Sequence, residues 1–187
     1  MKKPYVVSIS TVSGGGKTTI VNLLQKSLQA SLTCCNVLYF DDYTFSSSPE
    51  DLFAWTVRGA DFNEWNLEEL KADIIKITEK SNTDYLLLDY PFGYENDMLR
   101  PFIDVAVFID TPLDIALCRR ILRDYKGGGG KTLFSDLQYY AGKGRYAYLP
   151  MIQTVKPNTD LIVDGLLPPE EITKVILSAI QKKTPQA

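Results

Sequence analysis

The 187-residue sequence contains no histidine, which removes Ser-His-Asp triads, histidine general bases and histidine-bearing metal sites from consideration. Cysteine is scarce too, at Cys34, Cys35 and Cys118. Two adjacent thiols and one isolated thiol form neither a disulfide framework nor a C-x-x-C metal motif, so all three are read as buried or incidental. No run of about 18 apolar residues occurs, and MKKP passes directly into a strand-like segment with no signal-peptide cleavage region. A cytoplasmic protein with no membrane partner is expected. Charge of one sign is also lacking, because 20 Lys+Arg against 23 Asp+Glu leave a net charge of −3. Nucleic-acid binding leans on clustered Lys and Arg, so no nucleic-acid partner is expected. There is no internal repeat, and the one low-complexity patch is the glycine run at 127–130.

What is present is enough to bury a core: 45% hydrophobic residues with 23% charged fit one compact domain over 1–187. Apolar runs rich in β-branched and aromatic residues lie at 5–10, 36–40, 84–89, 103–110 and 160–164. Between them the spacing predicts helices over 16–31, 66–80, 113–124, about 135–148, and 168–183. Continuous apolar strands alternating with helices predict a three-layer α/β fold, a five-stranded parallel sheet covered on both faces. Asn66 before Leu67-Glu68-Glu69 and Pro168-Pro169 before Glu170-Glu171 mark helix starts. Segments 43–65 and 125–135 fit no regular element well. Long irregular stretches in a compact domain are often binding loops or lids.

The first strand runs into Ser13-Gly14-Gly15-Gly16-Lys17-Thr18-Thr19, which opens an amphipathic helix. This is the context a Walker A phosphate loop requires. Its glycines allow consecutive N–H groups to turn inward on an anion, and the helix N-terminus adds roughly half a positive charge. Lys17 is expected to reach the β- and γ-phosphates of ATP, and Thr18 to give its hydroxyl to Mg²⁺. The full G-x-x-x-x-G-K-[ST] pattern wants glycine at position 11, where this chain has Thr11.

Phosphoryl transfer to an alcohol also needs a carboxylate that can take the hydroxyl proton. Asp41 and Asp42 end the second strand, on the sheet edge where ligands of open α/β sheets bind. Either could serve as the base, with Asp41 preferred. Asp89 closes Tyr85-Leu86-Leu87-Leu88, the form of a Walker B strand, and is assigned to the metal with Thr18. Asp110 precedes Thr111-Pro112 and is read as a turn former.

Together these segments resemble the uridine kinase-like group of P-loop kinases, with its uridine kinase, phosphoribulokinase, pantothenate kinase and nicotinamide riboside kinase members. The phosphate loop looks like that group's SGSGKTT, and Phe40-Asp41-Asp42-Tyr43 is similar to its D-D-F-Y motif. The first Asp of that motif is the family's base, which maps onto Asp41. The stretch from Val107 to Asp124 contains Arg119-Arg120-Ile121-Leu122-Arg123-Asp124, similar to the family's R-R-x-x-R-D signature. The resemblance implies arginines near the phosphates there, Arg123 by preference. Lys156-Pro157-Asn158-Thr159-Asp160-Leu161-Ile162-Val163 is similar to the last family strand. Where such kinases carry R-G-R at the lid, this chain has Lys126-Gly127-Gly128-Gly129-Gly130-Lys131. That run suits either a short lid that closes on nucleotide or a surface linker.

Segment 43–65 supplies Tyr43, Phe45, Phe53, Trp55, Phe62 and Trp65 with Arg58 and Asp61 among them. Aromatics with a cation and a carboxylate suit a small-molecule acceptor such as a nucleoside, to which Asp41, Asp42, Tyr43, Arg58 and Trp65 are assigned. The same spacing also suits core packing. The expected activity is ATP-dependent phosphorylation of a small-molecule hydroxyl. A nucleotide-binding regulatory protein without turnover and a P-loop ATPase are the alternatives.

Overall fold

The computed structural model describes residues 3–80, 82–128 and 130–183. Along the chain lie β1 (Tyr5–Ser10), α1 (Lys17–Ala30), β2 (Cys35–Tyr39), α2 (Leu52–Val57), α3 (Glu68–Lys80) and β3 (Tyr85–Asp89). They are followed by β4 (Val105–Asp110), α4 (Leu113–Asp124), α5 (Gly130–Gly142), β5 (Leu161–Asp164) and α6 (Pro169–Lys183). The strands form one parallel sheet in the order β2-β3-β1-β4-β5. Parallel neighbours need crossover connections, and these carry the helices onto the two faces.

β1 lies between two separate apolar cores and is buried on both faces, its Ser8 and Ser10 included. Val7 and Ile9 face a core closed by Ile20, Leu24 and Leu28 of α1 and by Ile172, Ile176 and Ile180 of α6. Their i, i+4, i+8 spacing puts each trio on one helix face. Val6 faces the other core, built from Leu70 and Ile74 of α3, Ala116 of α4, Met151 and Val155. The result is the expected three-layer α/β arrangement. Among the described residues no helix is long and apolar enough to cross a membrane.

Two regions differ from the sequence expectation. The helix expected at about 135–148 runs instead from Gly130 to Gly142, followed by a separate 3₁₀ stretch at Gly144–Tyr148 and a π-helical turn at Met151–Val155. Gly142 and Gly144 flank Lys143, and two glycines so close favour ending a helix over continuing it. Segment 43–65 is also less irregular than expected. Asp51 caps α2 by accepting from the N–H groups of Phe53 (2.8 Å) and Ala54 (3.1 Å). A 3₁₀ turn at Phe62–Glu64 follows, capped by Asp61, which accepts from Asn63 N at 2.9 Å. Both elements are too short to show a helical period. Of the glycine run, Gly129 and the side chain of Lys131 lie outside the described residues.

Candidate active site

At the carboxyl end of the sheet, β1 turns into α1 through the glycine-rich loop in which the sequence places the phosphate-binding residues. Gly14 and Gly16 have φ values of +85° and +98°, the left-handed region that glycine enters without cost. Gly14 must be glycine for a second reason, since a Cβ there would lie 2.2 Å from the carbonyl oxygen of Ala116 in α4. No side chain caps the start of α1, so no side-chain acceptor competes for the N–H groups of its first turn. Lys17, at the head of the helix, is 15% exposed and forms an ion pair with Asp89, whose side chain is 3% exposed. Thr18 donates its hydroxyl to the other oxygen of the same carboxylate at 2.7 Å. Burial pushes the Lys17 ammonium down to about 8, with Asp41 pulling in the opposite direction.

A cavity of about 550 Å³ opens over this loop. Ser13, Gly14, Gly16, Lys17, Thr18 and Thr19 line it, together with Thr11, Phe40, Asp41, Pro91, Arg119 and Arg123. The volume lies within the range of small-ligand sites. Asp41 follows β2 in a 3₁₀ turn at Phe40–Asp42 and is exposed to the cavity. Gly15 does not line it, and its N–H donates to Val12 O at 2.8 Å inside the loop. Thr11, the departure from the Walker pattern, is buried and donates to Ile109 O at 2.6 Å. Its side chain fills the space beside Gly15, where a Cβ would meet the Thr11 hydroxyl at 2.0 Å.

The arginines of α4 divide three ways. Arg119 lines the cavity and donates to Gly165 O at 3.2 Å. Arg120 turns away, donating to the Tyr148 hydroxyl at 2.7 Å with its guanidinium 5.5 Å from the centre of the Tyr140 ring. Arg123 reaches the cavity rim while its guanidinium is held by its neighbour Asp124 at 2.6 Å. The sequence favoured Arg123 among the three; Arg119, a cation on the same helix, lines the cavity as well.

Of the remaining acceptor-side assignments, Tyr43 and Arg58 have polar partners outside the cavity. Asp42 does not line this cavity. Tyr43 donates its hydroxyl to Asp73 of α3 at 3.0 Å, and burial followed by that bond raises its pKa well above the ordinary phenol value. Arg58 is ion-paired with Glu64. Trp65 packs in an aromatic cluster, with ring centroids 5.6 Å from Phe40, 5.6 Å from Phe45 and 5.2 Å from Phe92. Trp55 and Phe62 are core residues, 2% and 5% exposed. Of the two readings of these aromatics, packing therefore accounts for most of them. Asp110 accepts from the Lys156 ammonium at 2.6 Å rather than acting only in a turn. Of the thiols, Cys35 is buried, with its pKa pushed up to about 12 by burial, while Cys34 and Cys118 are exposed.

One anchoring residue gave no sequence signal. Asn96 is 1% exposed and donates Nδ2 to Phe62 O at 2.9 Å and to Trp65 O at 3.2 Å. Its Oδ1 accepts from Met98 N at 3.1 Å, so the amide ties segment 62–65 to the loop after β3.

No protein-family model matches the chain. Among known proteins it is similar to the uridine kinases of Staphylococcus epidermidis (26% identical) and Staphylococcus aureus (27% identical), in both cases over 87% of this chain and 88% of theirs. Among solved structures it is similar to the APS kinase of Mycobacterium tuberculosis in complex with AMPPNP and APS, with a TM-score of 0.62, 19% identity, and 97% and 99% of the two chains covered. A gluconokinase from Sinorhizobium meliloti 1021 overlays with a TM-score of 0.54 at 14% identity, over 97% of this chain and 94% of that one. The sequence similarity and the shared three-layer fold support membership of the P-loop kinase superfamily and do not by themselves fix a subgroup.

Proposed function

We propose that this chain is an ATP- and magnesium-dependent kinase that phosphorylates a hydroxyl of a small molecule of the nucleoside type. The observation that carries the reading is the convergence of Lys17 and Thr18 on the buried carboxylate of Asp89, beside a cavity that also receives Asp41. The similarity to uridine kinases supports the nucleoside-type acceptor.

The residues fit a magnesium nucleotide. Left-handed glycines at 14 and 16, an uncapped helix start and a buried lysine make an anion cradle. Among the described residues no cluster of three acidic or thiol side chains could hold a metal by itself. That suits magnesium, which keeps several waters and takes few protein ligands beside nucleotide phosphates. Thr18 would give it a hydroxyl, and Asp89 would orient its shell. When bound, the magnesium nucleotide supplies the phosphoryl group and part of the neutralising charge.

The chain's own residues then position and neutralise. Lys17 holds an ammonium against the developing charge, and the cations of Arg119 and Arg123 face the same space. Asp41 would accept the proton of the acceptor hydroxyl at a carboxylate oxygen as the γ-phosphoryl group passes to that oxygen and its bond to the β,γ-bridging oxygen breaks, leaving ADP. Phe40 and Pro91 supply apolar wall that excludes water. Segment 125–135, whose residues from Gly130 on belong to α5, is read as a short lid, with a surface linker as the alternative.

The test is consumption of MgATP by the intact protein against a panel of nucleosides, sugars, glycerate and vitamins. Turnover that requires one nucleoside-type acceptor supports the reading. Binding of MgATP without turnover on any acceptor would favour a regulatory nucleotide-binding protein, and acceptor-independent hydrolysis an ATPase.

A further inference from the structure

Thr111 lies just past β4, is 3% exposed, and touches two glycines from different parts of the chain. Its hydroxyl donates to Gly15 O at 3.0 Å. The same oxygen would lie 2.0 Å from a Cβ on Gly165, so only glycine at that position leaves room for it. Thr111 is itself fixed, because its N–H donates to Ile109 O at 3.1 Å, the carbonyl that also accepts from Thr11 at 2.6 Å.

A trans peptide unit points its carbonyl and the following N–H in opposite directions. A hold on Gly15 O is therefore a hold on the N–H of Gly16, which lines the phosphate cavity. This peptide joins two glycines, the second at φ +98°, so little in the backbone itself resists its turning over. The N–H of Gly15 is spent on Val12 O at 2.8 Å, which fixes one side of the residue and leaves the carbonyl side to Thr111.

We propose that Thr111 is a positioning residue which, through its hydroxyl on Gly15 O, aims the Gly16 N–H at a phosphate oxygen of the bound nucleotide. The inference rests on the nucleotide-binding reading of this loop. Thr111 itself touches no phosphate. It is wedged between the phosphate loop and Gly165, whose carbonyl accepts from Arg119, so it also ties that loop to the turn after β5.

The experiment compares wild type with Thr111→Val, which keeps the shape and removes the hydroxyl, and Thr111→Ser, which keeps the hydroxyl. Dissociation constants for MgATP and for magnesium tripolyphosphate are measured by calorimetry, beside the ligand-free thermal midpoint of each variant. Thr111→Val is expected to weaken both ligands about tenfold, the scale of one lost hydrogen bond. Thr111→Ser is expected to return both to within about twofold of wild type. Gly165→Ala, which pushes on the Thr111 hydroxyl from the other side, is expected to weaken tripolyphosphate as well, and serves if Thr111→Val does not fold. Unchanged affinities in Thr111→Val or in Gly165→Ala, with a wild type that binds MgATP, overturn the positioning role and leave the nucleotide site standing. Equal losses in the Val and Ser variants overturn it too, since the hydroxyl is then not the cause. A wild type that binds neither ligand overturns the nucleotide reading together with the inference.

Discussion

Thr18 and Lys17 are held by the two oxygens of one carboxylate, that of Asp89, with the Thr18 hydroxyl donating at 2.7 Å. Lys17→Ala removes the ammonium from the phosphate site and leaves Asp89 buried without its counter-ion. Steady-state kinetics are expected to show kcat reduced by about 10²–10³-fold, the scale of losing one charge-stabilising donor. Removing one partner of a buried ion pair costs about 3–5 kcal/mol, so the thermal midpoint should fall as well. Adding Asp89→Asn to that variant should recover much of the midpoint and none of the activity. A single mutant with wild-type kcat would remove Lys17 from the chemistry.

Asp41 reaches the cavity that holds Lys17 and Thr18, whereas Asp42 does not line it. Asp41→Asn is expected to lower kcat by about 10²–10⁴-fold, the range of general-base catalysis, with MgATP affinity nearly kept. Asp42→Asn should stay close to wild type in the same assay. If the larger loss followed Asp42, the base would be one position further along the turn.

The depressed Lys17 ammonium gives a pH dependence with a definite sign. With its pKa at about 8 in the free protein, Lys17 is charged below that pH and neutral above it. Phosphates stabilise the charged form, so the complex binds more protons than the free protein above pH 8. MgATP affinity should therefore be flat below about pH 8 and decline above it. Calorimetry in buffers of different ionisation enthalpy should register proton uptake on binding at pH 9 and little at pH 7. A flat affinity from pH 7 to 9.5 would place the lysine's titration outside this window.

Asn96 serves two carbonyls of the acceptor-side segment at once. Asn96→Ala leaves Phe62 O and Trp65 O without that donor, at a cost of about 1–3 kcal/mol in chemical denaturation. KM for the acceptor is expected to rise more than the dissociation constant for MgATP. Equal changes in both would mean that the tether supports the whole domain and not the acceptor side.

Lys126 is exposed just before the glycine run, and α5 begins at Gly130. If segment 125–135 closes over the cavity, trypsin should cut at Lys126 in the ligand-free protein, with cleavage slowed several-fold by a non-hydrolysable MgATP analogue. Identical cleavage in both conditions would make the segment a linker.

The sequence made the layers legible because parallel strands buried on both faces leave continuous apolar runs, and all five are present within a residue or two. The turn from β1 into α1 was legible because its backbone needs glycine at fixed places, as at Gly14 and Gly16. The packing of segment 43–65 was not. Tyr43, Arg58 and Trp65 have the chemistry of ligand contacts, yet their partners are Asp73, Glu64 and neighbouring rings. Those partners lie up to 30 residues away, beyond any local pattern. Thr111 and Asn96 escaped notice for a related reason, since a lone hydroxyl or amide in a loop is ordinary until the carbonyl it serves is known. Thr11 looked like a defect in the loop, but its hydroxyl has a partner on β4 that a glycine could not engage.

The place of β1 in the sheet bears on how the chain is made. It pairs with Tyr85–Asp89 on one side and with Val105–Phe108 on the other, so both neighbours are synthesised some 80 to 100 residues after it. A nascent chain emerging from the ribosome holds β1 and the glycine-rich loop after it well before β3 and β4 have followed, and cannot seat them until then. Closing such distant pairs costs chain entropy before any contact repays it, which makes this a slow, late step. The strand that precedes both of its partners in the chain is thus among the last to be paired.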